Sequence, residues 1–388
     1  MPRLLLRKLA AAIRPSRQAK VIRRSITTTD LLGRTPVNLD TPELQRFLAG
    51  KRVVVTGAGG SIGSEICRQA MKFCPASLVL IDRCENALFE IDQQLREQWL
   101  GSDIRPVVAD VGDATRIAQV FAEQRPQVVF HAAAHKHVPM MEANPGEAIK
   151  NNVLGTKTVA DASLAAGVTA FVLISTDKAV NPSSVMGATK RVAELYIQSL
   201  NDGPASTRFV AVRFGNVLGS SGSVVPIFAR QIAAGGPVTV TDARMRRYFM
   251  TIPEASQLVM QAGAIGRGGE IFVLDMGEPV KILDLAEEMI RREGLEVGRD
   301  IRIKITGTRP GEKLFEELAN DSDGTAPTSH PKIHVWNLPR YAGDHIDGVI
   351  RNLAAAVTKP PEAVLAALAE AVPEYTPPVA KLALNAAA

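Results

Sequence analysis

Two clusters in this sequence have residue types and spacings that could do chemistry. The first is Thr56–Gly63, TGAGGSIG, which follows an apolar run and leads into a helical pattern. In that context Gly57 permits a tight turn, and Gly60 lets backbone approach a pyrophosphate. Gly63 lets the helix pack close to the strand, and the N–H groups around Ser61 and Ile62 face the anion. A dinucleotide is therefore the expected ligand. The second cluster is Thr176-Asp177-Lys178, with Met186 and Lys190 one helical turn apart further on. An acid beside a base can move protons on a bound substrate if the carboxyl pKa is raised and the amine pKa lowered. The other reading of the pair is a plain ion pair. Lys190 has the reach to hold nicotinamide-ribose hydroxyls and to lower the pKa of its neighbours by its charge.

Further residues extend the first cluster. Asp82 closes the next apolar run, 19 residues after Gly63. An acid there accepts hydrogen bonds from ribose hydroxyls and repels a 2′-phosphate, favouring NAD over NADP. Arg83 weakens that discrimination, and a helix cap is the alternative role for Asp82. Asp110, followed by Val111, can hold an adenine amino group or cap a turn. In the block 131–142, HAAAHKHVPMME, the small residues Ala132, Ala133 and Ala134 let backbone pass beside the nicotinamide ribose. Its three histidines lack a carboxylate at ligand spacing, so no metal is expected, and Lys136 and His137 are placed toward a substrate.

The elements that must position these residues alternate. Strands are predicted over 52–56, 77–82, 104–109, 127–132, 169–175 and 207–213. Helices are predicted over 61–73, 86–99, 114–124, 145–166 and 186–200. Continuous apolar strands of this kind suit a parallel sheet covered on both faces. The expected fold is α/β, a Rossmann-type doubly wound parallel sheet with a smaller C-terminal α/β substrate-binding region. Thr176–Lys178 then lie at the carboxyl end of a strand, where open sheets bind ligands. The expected organisation is an arm and connector over 1–50, with a short helix capped by Thr41 at its end. A nucleotide-binding domain over 51–215, a substrate-binding region over 216–330 and an extension over 331–388 follow. Strands 238–241 and 270–274 and helices 282–292 and 361–371 are expected beyond residue 216.

Charge is unevenly placed. Residues 1–24 carry eight Lys and Arg and no acid, so the net charge of +5 belongs to this arm and the remainder carries −3. A mildly acidic body argues against nucleic acid as a partner. The arm reads as a packing or disordered segment, or as an amphipathic helix drawn to anionic lipid. No apolar run approaches the roughly 20 residues of a spanning helix. Three cysteines without metal or disulfide spacing indicate free thiols in a cytoplasmic protein.

Seven motifs in order carry a resemblance: TGAGGSIGSE (56–65), HAAAHKHVPMMEANP (131–145), NNVLGT (151–156), STDKAVNPSSVMGATKR (175–191), RFGNVLGSSGSVVPIF (213–228), RRYFMTIPEA (246–255) and RPGEKLFEEL (309–318). Together they resemble the extended short-chain dehydrogenase/reductase superfamily, within it the UDP-N-acetylglucosamine 4,6-dehydratases of the polysaccharide-biosynthesis group. The resemblance implies NAD-mediated oxidation at C4, loss of water across C5–C6 and reduction at C6. It assigns Thr176, assisted by Lys190, to O4, Lys178 as base at C5 and Asp177 as acid at C6. Met186 departs from the superfamily's tyrosine and is similar to a branch that keeps the C5 configuration. That branch is often fused to a membrane-spanning region, and DLLGR (30–34) resembles the segment bordering it, which implies a place at the inner face of the membrane. Asn152 is implied at the cofactor, and Asn216, Ser223 and Val224 at the diphosphate and uridine. Arg247 and Arg309 suit a diphosphate, with Glu312 and Lys313 closing on uridine or ribose. A homodimer through helices 145–166 and 186–200, or a higher assembly, is also implied. The rival readings are a 4-epimerase or reductase on the same fold and an inactive membrane-associated scaffold.

Overall fold

The structure is a computed structural model that describes residues 41–201, 207–318, 324–336 and 343–377; the basic arm and the 30–34 segment lie outside them. Helix α1 (Pro42–Leu48) opens the described chain with Thr41 as its cap. Then β1 (Arg52–Thr56), α2 (Ser61–Met71), β2 (Ser77–Asp82), α3 (Glu85–Gln98), β3 (Ile104–Val108), α4 (Ala114–Gln124) and β4 (Val128–His131) alternate as expected. Short helices α5 (Val138–Ala143) and α6 (Pro145–Ala148), a π-helical segment Ile149–Leu154 and α7 (Gly155–Ala165) follow. Next come β5 (Ala170–Ile174), a single 3₁₀ turn Asp177–Ala179, α8 (Val185–Ser199), β6 (Arg208–Arg213) and β7 (Asn216–Val217). The remainder holds α9 (Val224–Ala233), β8 (Val238–Val240), β9 (Arg246–Arg247), β10 (Phe249–Met250), α10 (Ile252–Ile265), β11 (Ile271–Leu274) and β12 (Val280–Lys281). It ends with α11 (Ile282–Arg292), β13 (Ile303–Ile305), β14 (Thr325–Pro327), β15 (Ile333–Trp336), α12 (Gly343–Ala356) and α13 (Pro361–Ala371).

One sheet organises the molecule, in the order β14-β15-β11-β6-β5-β4-β1-β2-β3. Strands β1 to β6 and β11 run parallel, and β15 and β14 add an antiparallel edge. The apolar runs explain the parallel part. Val53–Val55 and Leu78–Ile81 are fully covered on both faces, which only helices on both sides achieve. One apolar layer joins α4, α7 and α8 to the sheet, and another joins α1, α2 and α10 to its opposite face. Sequence order reverses at β1, flanked by β2 and β4, so a crevice opens at the carboxyl ends of these strands.

Two expectations are corrected. The stretch 145–166 is not one α-helix, because Ile149–Leu154 widens into a π turn. Such turns re-aim side chains at functional sites. Here the Asn152 amide oxygen accepts from the backbone N–H of His135 at 2.8 Å, and its nitrogen donates to the His135 carbonyl at 3.1 Å. The proposed dimer surface on α8 is also closed. Ile346, Ile350, Leu353, Val364 and Leu368 of α12 and α13 share a core with Val192 and Leu195 of α8. Every residue from Val185 to Gln198 is buried within the chain itself.

Candidate active site

Two adjoining cavities lie over the carboxyl ends of β1, β2, β4, β5 and β6. The smaller, about 150 Å³, is lined by Gly57, Gly60, Asp82, Arg83, Val111 and Ala132–Ala134. The larger, about 490 Å³, shares Gly60, Ala132 and Ala134 and continues along Ser61–Gly63, Lys136, His137, Thr176, Lys178, Met186 and Lys190 to Asn216, Ser223 and Val224. The two cavities thus adjoin at Gly60, as a dinucleotide site running into a substrate site requires.

The glycine turn requires its glycines. Gly57 has a φ of +67°, and a Cβ there would meet the Ala132 backbone at 2.7 Å; a Cβ on Gly63 would lie 2.0 Å from the Gly57 carbonyl oxygen. Asp82 Oδ2 accepts from the Gly59 N–H and Oδ1 from the Cys84 N–H, both at 2.9 Å. It is a pinned acceptor on the cavity wall, while Cys84 is the N-cap of α3. The turn closes into a backbone cradle with a fixed carboxylate at its far end, which fits the pyrophosphate and ribose of a dinucleotide. Asp110 takes the turn-capping alternative. Its Oδ1 accepts from the Gly112 N–H at 2.8 Å, its Oδ2 lies 3.6 Å from Arg83, and it does not line the cavity. Arg83 also reaches His135 Nε2 at 3.2 Å. The expectation for Asn152 is corrected too. It is fully buried against His135 and Thr189, and its neighbour Asn151 lines the cavity instead.

The lining of the second cavity includes Thr176 and Lys178 but not Asp177, which lies between them in sequence and is almost fully buried, at 1 % exposure. Its Oδ1 accepts from the Thr176 hydroxyl at 2.9 Å and from Lys178 Nζ at 3.0 Å, and its buried Oδ2 has no partner. Lys178 Nζ also donates to Asn216 Oδ1 at 3.2 Å and lies 3.6 Å from Glu316 Oε1. Burial pushes the Lys178 amine down, but Asp177 and Glu316 outweigh it, even against Arg247, and hold the pKa above its ordinary value. The expected depression of Lys178 by Lys190 is therefore not what the geometry produces. Lys190 is itself the depressed amine. Burial brings it down to about 8, opposed by Glu194, and it makes no hydrogen bond among the described residues. Met186, 3 % exposed, occupies the wall between Lys190 and Thr176 with no group that can titrate.

His131 stands behind this wall. Its ring nitrogens bond the Thr56 and Thr156 hydroxyls at 2.7 and 3.0 Å, and burial with the Lys190 charge brings its pKa down to about 3. It is a neutral core histidine. Lys136 and His137 do face the cavity, both lowered in pKa by burial. On the far side, Ser223 is the N-cap of α9, makes no side-chain cap bond, and keeps a buried hydroxyl without a partner. The Ser221 N–H donates to Ser61 Oγ at 3.1 Å, joining this loop to the glycine turn.

Four expected substrate residues, Arg247, Arg309, Glu312 and Lys313, lie outside the cavity. Arg247 donates to the carbonyls of Arg246, Lys313 and Leu314 at 2.7, 2.7 and 3.2 Å and pairs with Glu316 at 3.5 Å. It anchors the 309–318 segment, so the direct diphosphate contact expected of it is corrected. Arg309 and Glu312 pair with each other at 3.3 Å, with Arg309 half exposed. Lys313 donates to the Val180 carbonyl at 3.1 Å. Glu316 was missed at the sequence level, although it lies inside the RPGEKLFEEL motif; its role depends on Lys178 and Arg247 folding onto it from distant elements.

The family described as polysaccharide biosynthesis protein matches residues 53–338, and the chain belongs to that family, with the Rossmann-type fold of the short-chain dehydrogenase/reductases. It is 55% identical over 332 residues to the capsular polysaccharide biosynthesis protein CapD of Staphylococcus aureus, covering 85% of this chain and 55% of that protein. The chain thus spans about half the length of CapD. It is 34% identical over 278 residues to a UDP-N-acetylglucosamine 4,6-dehydratase (inverting) of Campylobacter jejuni, covering 71% of this chain and 79% of that enzyme. Among solved structures, a double mutant of the dTDP-glucose 4,6-dehydratase DesIV of Streptomyces venezuelae, with NAD and DAU bound, shares the fold. Its TM-score is 0.60 at 23% identity, covering 69% of this chain and 87% of that one.

Proposed function

We propose that the chain is a nucleotide-sugar 4,6-dehydratase that converts UDP-N-acetylglucosamine, or a close UDP-sugar, to the 4-keto-6-deoxy sugar with retained C5 configuration. The observation that carries this reading is the bond from buried Asp177 to Lys178, which lines the cleft together with a methionine that cannot act as base. NAD, when bound, would supply the redox chemistry, removal of hydride at C4 and its return at C6. The residues of the glycine turn, Asp82 and Lys190 would hold that cofactor, with Lys190 suited to its ribose hydroxyls.

The protein's own work is proton transfer. Thr176 receives O4, and its hydroxyl is already directed at Asp177 Oδ1. At rest the pair is carboxylate and ammonium. Moving one proton along the 3.0 Å bond gives neutral Lys178 and protonated Asp177, the base and acid that elimination needs. Lys178 then takes the C5 proton and Asp177 protonates the departing C6 hydroxyl. Return of the proton from the same Lys178 to the same face of C5 retains configuration. The proton released from O4 replaces the one lost in water. Asn216 and the α9 N-terminus, with its unpartnered Ser223 hydroxyl, are suited to the diphosphate.

The test is incubation with UDP-N-acetylglucosamine, with mass spectrometry and NMR of the product. Loss of one water with a new C6 methyl signal is expected. Unchanged mass with inverted C4 would replace this reading with a 4-epimerase, and no turnover with no bound NAD would replace it with a scaffold. We place the protein at the cytoplasmic face of the membrane, held by the basic residues 1–24. None of the helices among the described residues is long and apolar enough to cross a membrane. Equal binding of the full chain and a chain starting at residue 25 to anionic liposomes would refute that placement.

A further inference from the structure

The motif RPGEKLFEEL places an acid, Glu316, among the groups around Lys178, although it does not line the cleft. Its Oε1 lies 3.6 Å from Lys178 Nζ and 3.5 Å from Arg247 Nη2, between two cations. Its Oε2 is buried without a partner, and the residue is 8 % exposed. Arg247 cannot swing away, because carbonyls of residues 246, 313 and 314 hold its guanidinium. The carboxylate of Glu316 is therefore held in place beside Lys178 from a segment remote in sequence.

The charged groups facing Lys178 are few. Asp177 is adjacent at 3.0 Å, Glu316 approaches from the 309–318 segment, and Arg247 opposes both from β9. Asn216 of β7 adds a neutral acceptor at 3.2 Å. Lys313 and Glu317 pair with each other at 3.1 Å. We propose that Glu316 is a positioning residue that sets the proton affinity of Lys178, giving the cleft a stronger base than the Asp177–Lys178 pair alone would provide. This rests on the dehydratase reading for its use in catalysis, but not for its effect on the amine.

The physical case is a balance of charge in a poorly hydrated site. Burial alone favours a neutral amine, and Arg247 pushes the same way. Asp177 pushes back, but in the proposed cycle it must become protonated, and its support then vanishes. Glu316 is the anion that remains through that step. A higher proton affinity makes Lys178 a better acceptor for the C5 proton once its own proton has passed to Asp177. The prediction therefore joins a change in the amine to a change in turnover, and a purely structural residue would not produce both.

The experiment is competitive acetylation of amines across pH, with the Lys178 and Lys190 peptides quantified by mass spectrometry, in the wild type, Glu316→Gln and Glu316→Asp. The midpoint of Lys178 reactivity should fall by about one pH unit or more in Glu316→Gln, on the scale typical of losing a nearby opposite charge. It should stay near the wild-type value in Glu316→Asp, and Lys190 should not move in either. In turnover, Glu316→Gln should lower the kcat plateau, with KM little changed. An unchanged Lys178 midpoint in Glu316→Gln overturns the proposal. So does an equal shift in Lys190, or in Glu316→Asp, since either would mark general loosening. If the wild type shows no dehydration while the Lys178 midpoint moves as expected, the proposed reaction fails and the role of Glu316 stands.

Discussion

At the glycine turn, the cavity-lining carboxylate of Asp82 is already bonded twice, at Gly59 and Cys84, and Arg83 beside it already reaches Asp110 and His135. Toward the other end of the same crevice, three buried oxygens have no hydrogen-bond partner: Ser223 Oγ on its lining, and Asp177 Oδ2 and Glu316 Oε2 beside Lys178 but off the lining. There, too, one lysine is held above its ordinary pKa and another is brought down to about 8. The nucleotide half is complete as folded, whereas the reacting half keeps unmet hydrogen-bonding capacity and displaced protons. Buried polar atoms without partners cost roughly 1–3 kcal/mol each, so they persist where a ligand completes them or where function needs them. The contrast assigns recognition of a constant ligand to the first half and chemistry to the second.

The sharpest way to break that division is to disable one half and watch the other. Asp177→Asn and Lys178→Met should each lower turnover by roughly 10³-fold, within the span of acid–base contributions. Nucleotide content of the purified protein should stay at the wild-type level. Loss of the nucleotide in either variant would show that the halves are not separable.

Arg213 tests what lies beneath the reacting half. It pairs with Glu194, with Nε to Oε1 at 2.6 Å, and stacks on Trp336 with its guanidinium 4.1 Å from the ring centre. Ser175, next to Thr176, donates to the same Glu194 oxygen. Arg213→Met leaves buried Glu194 with Arg191, 3.5 Å away, as its remaining ion-pair partner, and should cost about 3 kcal/mol in urea unfolding, the lower end for breaking a buried pair. Glu194→Gln combined with Arg213→Met should recover part of that loss. A single variant as stable as wild type would remove the network from the support of the catalytic loop.

For the nucleotide half the corresponding change is Gly63→Ala. The added carbon meets the Gly57 carbonyl oxygen at 2.0 Å, and the backbone has to yield. A loss of about 1–3 kcal/mol is expected for such overpacking. Nucleotide content should fall in parallel, because the displaced atoms form the cradle. Retained nucleotide with a lowered melting temperature would show that Gly63 serves packing alone.

Much of this was legible before folding, because the signals were local. The runs at 52–56, 77–82 and 114–124 became β1, β2 and α4 with the same limits. The glycine spacing placed the turn, and Thr176, Lys178, Met186 and Lys190 did converge on one cavity. What could not be read was long-range. Nothing in NNVLGT announces a π turn, so Asn151 and Asn152 exchanged places. Arg247 looked like an anion binder until the carbonyls of residues 313 and 314 came within its reach. The upward shift of Lys178 reflects Asp177 together with Glu316, and Glu316 is far away in the chain. The covering of α8 by α12 and α13 likewise depended on apolar residues more than a hundred positions away.

The smallest effect concerns His131, which the sequence grouped with two cavity histidines and the fold buries instead. Its pKa is brought down to about 3, mainly by burial and further by Lys190, while an unfolded chain would titrate near the ordinary imidazole value of 6.5. The unfolded state therefore binds a proton first as pH falls. The contribution to stability is present above about 6.5 and is lost progressively between there and about 3. Between pH 7 and pH 5 this residue alone should remove about 1–2 kcal/mol from the unfolding free energy. His131→Gln keeps a side chain that can bond Thr56 and Thr156 but cannot titrate, so its unfolding free energy should fall less over that interval. Urea midpoints at the two pH values, compared between variant and wild type, measure the difference. Equal pH slopes would mean that His131 is hydrated in the native state, which would remove the dry wall behind Lys190 and with it the physical cause of that lysine's lowered pKa.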